Sequence, residues 1–407
     1  MINLYYETIF KGWPLPNCGL SSKWKQGKYF GYNIPSGVPI NTFNNFYYLA
    51  IKNKANPVLF TKDRIVENTY YPIELKLYGN KNPMDLMPRK TLKRLIKGHL
   101  KLLLIVYDSF GFEAYSLLKE WINRFKSFGV ENITVVTDEL KGVYKNYLDC
   151  KVLSFDYNQV KAQAILRHPK DRDILIKGKS LDFWNYDPEK FNPIHTFYSF
   201  DNSHSIHRLC LLSELAFRQL PQNYNNVTGL KYTIEDPLIY DKFRSDLENT
   251  ELKKYLEYLM NNSIDKIETI QQHQNSLISI HTQPRASLGN ILPEEANALH
   301  TDYRLWQFIY MAKPFITLGG SEVMRYLNNE GYFTFPTIIH EAYDRISSIP
   351  KKVKAIGEQV SRIDSERALS IKSYNNEKRN YLINRDKLIS KDHLSRFINL
   401  YDNIQYR

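Results

Sequence analysis

The chain is poor in cysteine and has no long apolar run. Its three cysteines, Cys18, Cys150 and Cys210, are far apart, and none belongs to a CxxC or Cys/His cluster. A structural zinc site is therefore not expected, and so sparse a set fits a reducing compartment. The apolar run at 102–107, LLLIVY, is far shorter than the roughly 20 residues that a membrane-spanning helix needs. Because the amino terminus also lacks a basic and apolar leader, we expect a cytoplasmic protein without a transmembrane segment.

Aromatic and basic residues are, by contrast, abundant. Hydrophobic residues make up 43% of the 407 positions, which is enough for the cores of two or three domains. The 30 tyrosines and 21 phenylalanines accompany many Asn and Lys residues, a composition typical of AT-rich coding. The formal net charge of +12 predicts attraction to polyanions such as nucleic acid, anionic lipid or nucleotide phosphates. A lysine-rich solvated surface explains the same charge more simply.

A basic segment at 88–99, PRKTLKRLIKGH, precedes the first clear structural pattern. Its apolar residues Leu92, Leu95 and Ile96 recur at helical spacing. The segment predicts an amphipathic helix with a solvated basic face, and a polyanion-binding patch is the alternative.

A βαβ pattern follows. Residues 100–108 and 131–139 predict strands, and 112–129 between them predicts a helix that ends at a glycine. This order predicts parallel pairing with a right-handed crossover. Ligands of such sheets bind beyond the carboxyl ends of the strands. Asp108 and Glu113 follow the first strand and are therefore candidates to meet a substrate.

A second α/β pattern begins near residue 194, after a further strand at 151–157 and a polar stretch at 158–195 that we interpret as a linker or crossover. Strands are predicted at 194–200, 276–282 and 313–320, and helices at 206–220, 302–312, 321–331 and over the final 60 residues or so. Ser321 is the expected N-cap of the third of these helices.

Two arginines stand where these predicted helices begin. Arg208 lies in the first turn of the helix at 206–220, close to His204 and His207, and Arg304 lies in the first turn of the next. Helix N-termini attract anions, and a guanidinium binds phosphate through two parallel hydrogen bonds. Both arginines are therefore candidate phosphate ligands, although a surface ion pair is the alternative for Arg208.

The same segments resemble a known enzyme family. YRLW followed by KPFITLGG (303–320) resembles the EKLW…VPVVLG motif of α-1,3-fucosyltransferases, and resembles still more the EKTFK…PFILLG version found in bacterial and phage-encoded relatives. VMRYLNNEGYFTFPTIIHEAYD (323–344), FYSFDNSHSIHRLCLLSEL (197–215), SLISIHTQ (276–283) and KRNYLINRDKLIS (378–390) extend the resemblance over about 194–400.

The resemblance implies a GT-B glycosyltransferase: an α/β fold of two Rossmann-like domains facing a cleft, with C-terminal helices packing back. Residues 1–190 would form the acceptor-side domain, 191–345 the nucleotide-sugar domain and 346–407 the helical segment. Transfer would need no metal and no cofactor beyond a GDP- or UDP-linked sugar donor. By position the donor would be bound by His204, His207, Arg208, Gln283, Asp302, Tyr303 and Arg304, and the acceptor hydroxyl would be deprotonated by Asp108 or Glu113.

Two positions depart from the family pattern. Tyr303 and Gln283 stand where the relatives carry Glu. A non-catalytic structural or binding protein that retains the fold is therefore the alternative function. The acceptor would be a surface glycan or a modified DNA base, the latter suggested by the positive charge and the phage-encoded relatives, in which case the protein would act in the host cytoplasm.

Overall fold

A computed structural model describes the chain in separate stretches. They cover residues 2–6, 28–29, 32–33, 55–59, 69–74, 84, 87, 89–106, 113–167, 183–199, 208, 210–211, 214–215, 218, 270–283 and 299–391. The chain divides into two compact units. The first consists of Met1–Val160 together with Asp392–Arg407, and the second consists of Lys161–Lys391. This is a division by compactness, and the functional domains placed at 1–190, 191–345 and 346–407 stay a prediction.

The first unit is built on a six-stranded sheet in which every neighbouring pair is parallel. The strand order is β4-β1-β5-β6-β7-β8, and a short antiparallel pair, β2 and β3, stands apart from it. The strands are β1 (Ile2–Tyr6), β2 (Lys28–Tyr29), β3 (Tyr32–Asn33), β4 (Ala55–Leu59), β5 (Thr69–Glu74), β6 (Lys101–Val106), β7 (Ile133–Thr137) and β8 (Lys151–Ser154).

Four described helices accompany these strands. They are α1 (Arg89–Ile96), α2 (Glu113–Ser127), α3 (Val143–Tyr147) and α4 (Tyr157–Arg167), the last of which crosses the boundary between the units. Strand β6 is buried from Leu102 to Val106, and Trp121 and Phe125 of α2 pack in the same core. The continuous apolar runs of β6 and β7 are the pattern expected of parallel strands that are covered on both faces.

The second unit contains a three-stranded parallel sheet in the order β11-β10-β9. Its strands are β9 (His195–Ser199), β10 (Ser276–Thr282) and β11 (Phe315–Leu318). Its helices are α5 (Ile270–Gln274), α6 (Tyr303–Tyr310), α7 (Val323–Asn329), α8 (Ile349–Ser365) and α9 (Arg367–Ser390). Every side chain of β10 is buried, as its position between two strands requires.

The closing helices pack on the second unit. Asn384 of α9 accepts a hydrogen bond from Phe333 N at 2.8 Å and donates one to Phe333 O at 2.7 Å. Tyr374 and Tyr381 of the same helix are fully buried, and their rings stack with centroids 5.7 Å apart. The expected return of the C-terminal helices onto the preceding domain is therefore confirmed for α8 and α9.

The first ten residues of the stretch 158–195 lie in α4, and 3-10 turns follow at Phe183–Asn185 and Pro188–Lys190, so the structure favours the crossover interpretation of this stretch over a plain linker. The α/β class predicted from the sequence is confirmed, and one local prediction is wrong. Ser321 does not cap α7; Glu322 is the N-cap, at φ 70°, without a side-chain cap bond. The described helices include none with the length and hydropathy needed to cross a membrane.

Candidate functional site

The carboxyl edge of the three-stranded sheet gathers polar groups from distant parts of the chain. The three strands are parallel and end at Ser199, Thr282 and Leu318, so the segments that follow them emerge at one edge. In parallel α/β sheets this is the edge at which ligands bind. The predicted site residues that follow β10 and precede α6 are therefore placed at a chemically plausible position.

Gln283 joins the ends of β10 and β11. Its side-chain oxygen accepts a hydrogen bond from Gly320 N at 3.1 Å, and its amide nitrogen donates to His300 O at 3.2 Å. The side chain is buried and lies against Gly319, where an added Cβ would come within 2.5 Å of Gln283 Cδ and 2.8 Å of Gln283 Cβ. Glycine is thus required at 319 because of the space that Gln283 occupies. A Glu at 283 could not donate to the His300 carbonyl, which accounts for glutamine at this position.

Asp302 connects β10 to the first turn of α6. One carboxylate oxygen accepts a hydrogen bond from Leu305 N at 2.9 Å and so caps the helix, while the other is paired with His281 Nε2. Burial raises the pKa of Asp302, but the charge and hydrogen bond of His281, the bond from Leu305 N and the charge of Arg304 together bring this pKa below its usual value. Asp302 is therefore held as a carboxylate at neutral pH.

His281 itself is almost fully buried in the penultimate position of β10. Its Nδ1 atom is enclosed and meets no hydrogen-bond partner among the described residues, while Nε2 is held by Asp302. The carboxylate therefore fixes the ring orientation from one side.

A buried lysine supports the loop that follows β11. Lys352 of α8 donates from Nζ to Gly320 O at 2.9 Å and to Gly319 O at 3.3 Å, and lies 3.8 Å from Asp344 Oδ1. Burial lowers the pKa of Lys352, an effect that Asp344 opposes, and burial raises the pKa of Asp344. The other oxygen of Asp344 accepts a hydrogen bond from Met324 N at 2.8 Å, at the start of α7. One ion pair thus holds both the glycine loop and the helix after it.

The structure describes five of the predicted donor-binding residues. Tyr303 and Arg304 are half-buried in the first turn of α6, where the ring of Tyr303 meets Phe183 edge-on at 5.9 Å. Asp302 and Arg304 are close enough for the guanidinium to act on the carboxylate. Arg208 is helical and only 1% exposed, so its guanidinium is enclosed in this conformation.

The remaining predicted residues are not described in the same detail. Asp108, His204 and His207 lie outside the described residues, and Glu113 is described only as the first residue of α2, without its side chain. The convergence of Arg208 and Arg304 on one diphosphate, and the base role of Asp108 or Glu113, stay predictions.

The sequence gives weak signals for the site residues that were missed. His281 is the one ionisable residue of β10 and stands two residues before Gln283, a position singled out by the motif. Lys352 occupies a position of the α8 apolar stripe, beside Val353 and one turn before Ile356. A charged residue on such a stripe indicates a buried partner, which here is provided by Asp344 and two carbonyl groups.

The described residues contain no group of three or more His, Cys, Asp and Glu side chains arranged as metal ligands. Metal-independent transfer stays a prediction.

Comparison with known proteins gives a distant structural likeness. No protein-family model matches the chain, and no curated protein matches it at a significant level. The fold is similar to the crystal structure of an alpha,alpha-trehalose-phosphate synthase (UDP-forming) from Burkholderia vietnamiensis, with 9% identity and a TM-score of 0.40 over 90% of this chain and 77% of that one. A likeness of this degree supports no inference about function.

Proposed function

We propose that the chain is a glycosyltransferase that holds a nucleotide-sugar donor at the carboxyl edge of β9, β10 and β11. The observation that carries the proposal is the hydrogen-bonded assembly of Gln283, the Gly319–Gly320 loop and the His281–Asp302 pair at that edge. The residues of this assembly come from the segments in which the sequence resembles the fucosyltransferase-like enzymes. Two units with parallel sheets are also compatible with the two-domain organisation of a GT-B enzyme.

Arg304 is the residue to which we assign the donor phosphates. It lies in the first turn of α6, where the helix dipole favours an anion, and its guanidinium always carries a charge. Asp302 caps the same helix and fixes the start of the turn that presents Arg304. A cation in that place would stabilise the negative charge that develops on the leaving diphosphate.

In the proposed reaction the acceptor hydroxyl loses its proton to a carboxylate of the first unit, for which Asp108 and Glu113 are the candidates. The acceptor oxygen forms a bond to the anomeric carbon while the bond from that carbon to the diphosphate breaks. The electron pair leaves with the nucleoside diphosphate, whose charge is offset by Arg304 and, if it turns toward the ligand, by Arg208.

Calorimetric titration with UDP, GDP and their sugars tests the donor assignment. Arg304→Ala should weaken nucleotide binding at least about tenfold, because a charge-assisted hydrogen bond contributes about 1.5–3 kcal/mol. Arg304→Lys should retain part of the affinity. Arg379→Ala, an exposed arginine on α9, is the matched control and should bind like the parent chain. If neither nucleotide binds, or if Arg304→Ala binds as well as the control, the donor assignment is wrong.

A non-catalytic relative is the second candidate, and two observations favour it. Both ends of the Gln283 amide are bonded to backbone groups, and Arg208 is enclosed. A sugar-release assay with UDP- and GDP-sugars separates the candidates: nucleotide binding without release of nucleoside diphosphate, with or without acceptor, would favour the binding protein.

The acceptor can be tested separately. Surface glycan is the acceptor class that we favour, with modified DNA as the alternative. A gel shift with duplex DNA that weakens steeply with salt would favour the DNA acceptor. No shift at low ionic strength would exclude it.

A further inference from the structure

Three exposed apolar side chains lie in a row at the amino edge of the six-stranded sheet. Ile96 is 41% exposed, Phe128 is 52% exposed and Tyr147 is 48% exposed, and they are all of the exposed large apolar residues described in the first unit. Ile96 ends α1, Phe128 follows the last residue of α2, and Tyr147 ends α3. Each therefore stands at the end of a helix that precedes a strand.

The topology places the three side chains side by side. The strands that follow them, β6, β7 and β8, are consecutive neighbours in a parallel sheet, so all three are entered from the same edge. Neighbouring strands are about 4.8 Å apart, so the three entry points span roughly 10 Å. The first two stand close together along the edge: a Cβ added at Gly129, the residue after Phe128, would lie 3.6 Å from Ile96 Cγ2. We call Ile96, Phe128 and Tyr147 the apolar row.

Basic residues flank the apolar row. Helix α1 turns Thr91 and Leu95 into the core, and its exposed face carries Arg89, Lys90 and Lys93, with Lys97 directly after the helix. No acidic residue occurs between positions 86 and 107. Among the acids near the row, Glu131 is exposed, and Asp149 is already paired with Lys126. The edge is therefore both apolar and positively charged.

We propose that this edge of the first unit docks on an anionic lipid surface. The basic face of α1 would be attracted to the lipid headgroups, and each Lys or Arg near the surface would add to the binding. The apolar row would enter the boundary between headgroups and acyl chains, where exposed aromatic and aliphatic side chains are stabilised. The proposal is independent of the glycosyltransferase assignment.

The apolar row is what favours lipid over nucleic acid. Duplex DNA is bound mainly through its phosphates, and the basic face alone would suffice for that. An aliphatic side chain such as Ile96 beside an exposed phenylalanine gains nothing from a phosphate backbone, but both gain by leaving water for the membrane interface.

Vesicle co-sedimentation of the full chain tests the proposal. The parent chain should sediment with phosphatidylcholine vesicles that contain phosphatidylglycerol, and much less with phosphatidylcholine alone. Ile96→Ser with Phe128→Ser should lower the partition coefficient by about tenfold or more, because two exposed apolar groups are removed. Leu369→Ser with Ile383→Ser, both on α9 of the second unit, is the matched control, since these side chains are 59% and 44% exposed.

Two charge-reversal variants test the contribution of the basic face of α1. Lys93→Glu with Lys97→Glu should lose at least about tenfold in binding to the anionic vesicles, whereas Lys372→Glu with Arg379→Glu on α9 should not. Thermal unfolding checks that each variant is folded, and Phe128→Ser alone serves if the double variant is not.

Three results would overturn the proposal. The first is a parent chain that does not sediment with anionic vesicles. The second is equal loss in the apolar variants of the two units. The third is a Lys93→Glu, Lys97→Glu chain that loses duplex DNA binding but keeps vesicle binding, which would assign the basic face to nucleic acid.

Discussion

Gly319→Ala offers a sharp test of the site geometry, because its effect depends on one neighbouring side chain. The added Cβ would overlap the terminal amide of Gln283 and lie only 2.8 Å from Gln283 Cβ. Rotation of Gln283 would relieve the first clash but not the second, since Gln283 Cβ is fixed by the backbone directly after β10. Rotation would also break the bonds to Gly320 N and His300 O.

The structure gives the expected size of the effect. Loss of the two hydrogen bonds amounts to about 2 kcal/mol. The remaining overlap with Gln283 Cβ requires a backbone shift that costs about 1–3 kcal/mol. Gly319→Ala should therefore lower the free energy of unfolding by about 3–5 kcal/mol.

A double-mutant cycle isolates this cause. In a Gln283→Ala background the terminal amide and its bonds are already absent, so Gly319→Ala should cost about 2 kcal/mol less than in the parent chain. Gly331→Ala is the control, because its strain comes from φ +77° and a contact with Lys387, and should be equal in both backgrounds. Urea unfolding followed by circular dichroism measures all of these variants. An equal cost of Gly319→Ala in both backgrounds would refute the reasoning.

Three further predictions follow from buried charges and close helix contacts. The pKa of Asp302 is lower in the folded chain than in the unfolded chain, so the parent chain loses stability as the pH falls through that lowered pKa. Asp302→Asn removes this carboxylate, and the free energy of unfolding of the variant should therefore fall less steeply in acid. Lys313 is fully buried and donates to His273 O at 2.7 Å, and burial brings its pKa well below the usual value. Between the folded and the unfolded pKa of this lysine, the unfolded chain binds more protons than the folded chain. The free energy of unfolding should therefore rise with pH up to the usual lysine pKa, and Lys313→Met should flatten that rise. Gly357→Ala on α8 should destabilise the second unit by about 1–3 kcal/mol, because its Cβ would lie 2.6 Å from Glu214 Cγ.

Urea unfolding measured across pH checks the first two predictions, and a single pH suffices for the third. If the free energy of unfolding fell equally with decreasing pH in Asp302→Asn and in the parent chain, the carboxylate argument would be contradicted. A parent chain whose stability falls between neutral pH and the lysine range would contradict the Lys313 argument. An unchanged midpoint for Gly357→Ala would show that the contact with Glu214 does not resist the added methyl group.

The secondary structure of the described residues was largely predictable because it depends on local patterns. The apolar runs of β6, β7, β10 and β11 predict buried parallel strands, and the structure places all four within a residue or two of the predicted bounds. An uninterrupted apolar run indicates a strand that is covered on both faces, and it can be recognised within one segment without knowledge of the segment's partners.

The wrong prediction and the open alternative both depended on contacts between distant residues. Ser321 looked like a helix cap, but the N-terminus of α7 is satisfied by the carboxylate of Asp344, twenty residues later. The segment after residue 157 is polar, so the sequence left a linker and a crossover both open there. Three of its polar side chains, Asn158, Gln159 and Gln163, are buried, and Gln163 donates to Leu388 O at 3.2 Å.

The candidate site was predictable in position but not in its bonding. Motif and strand order place Asp302, Arg304 and Gln283 at one edge of the sheet. The pairing of His281 with Asp302 and the burial of Lys352 under the glycine loop depend on tertiary packing, which no periodicity encodes.

A crystal structure of the chain soaked with UDP or GDP tests the central claim most directly. The account predicts density for the diphosphate beyond the carboxyl ends of β9, β10 and β11, within hydrogen-bond distance of the Arg304 guanidinium. A nucleotide bound elsewhere, with Arg304 out of reach of its phosphates, would contradict it.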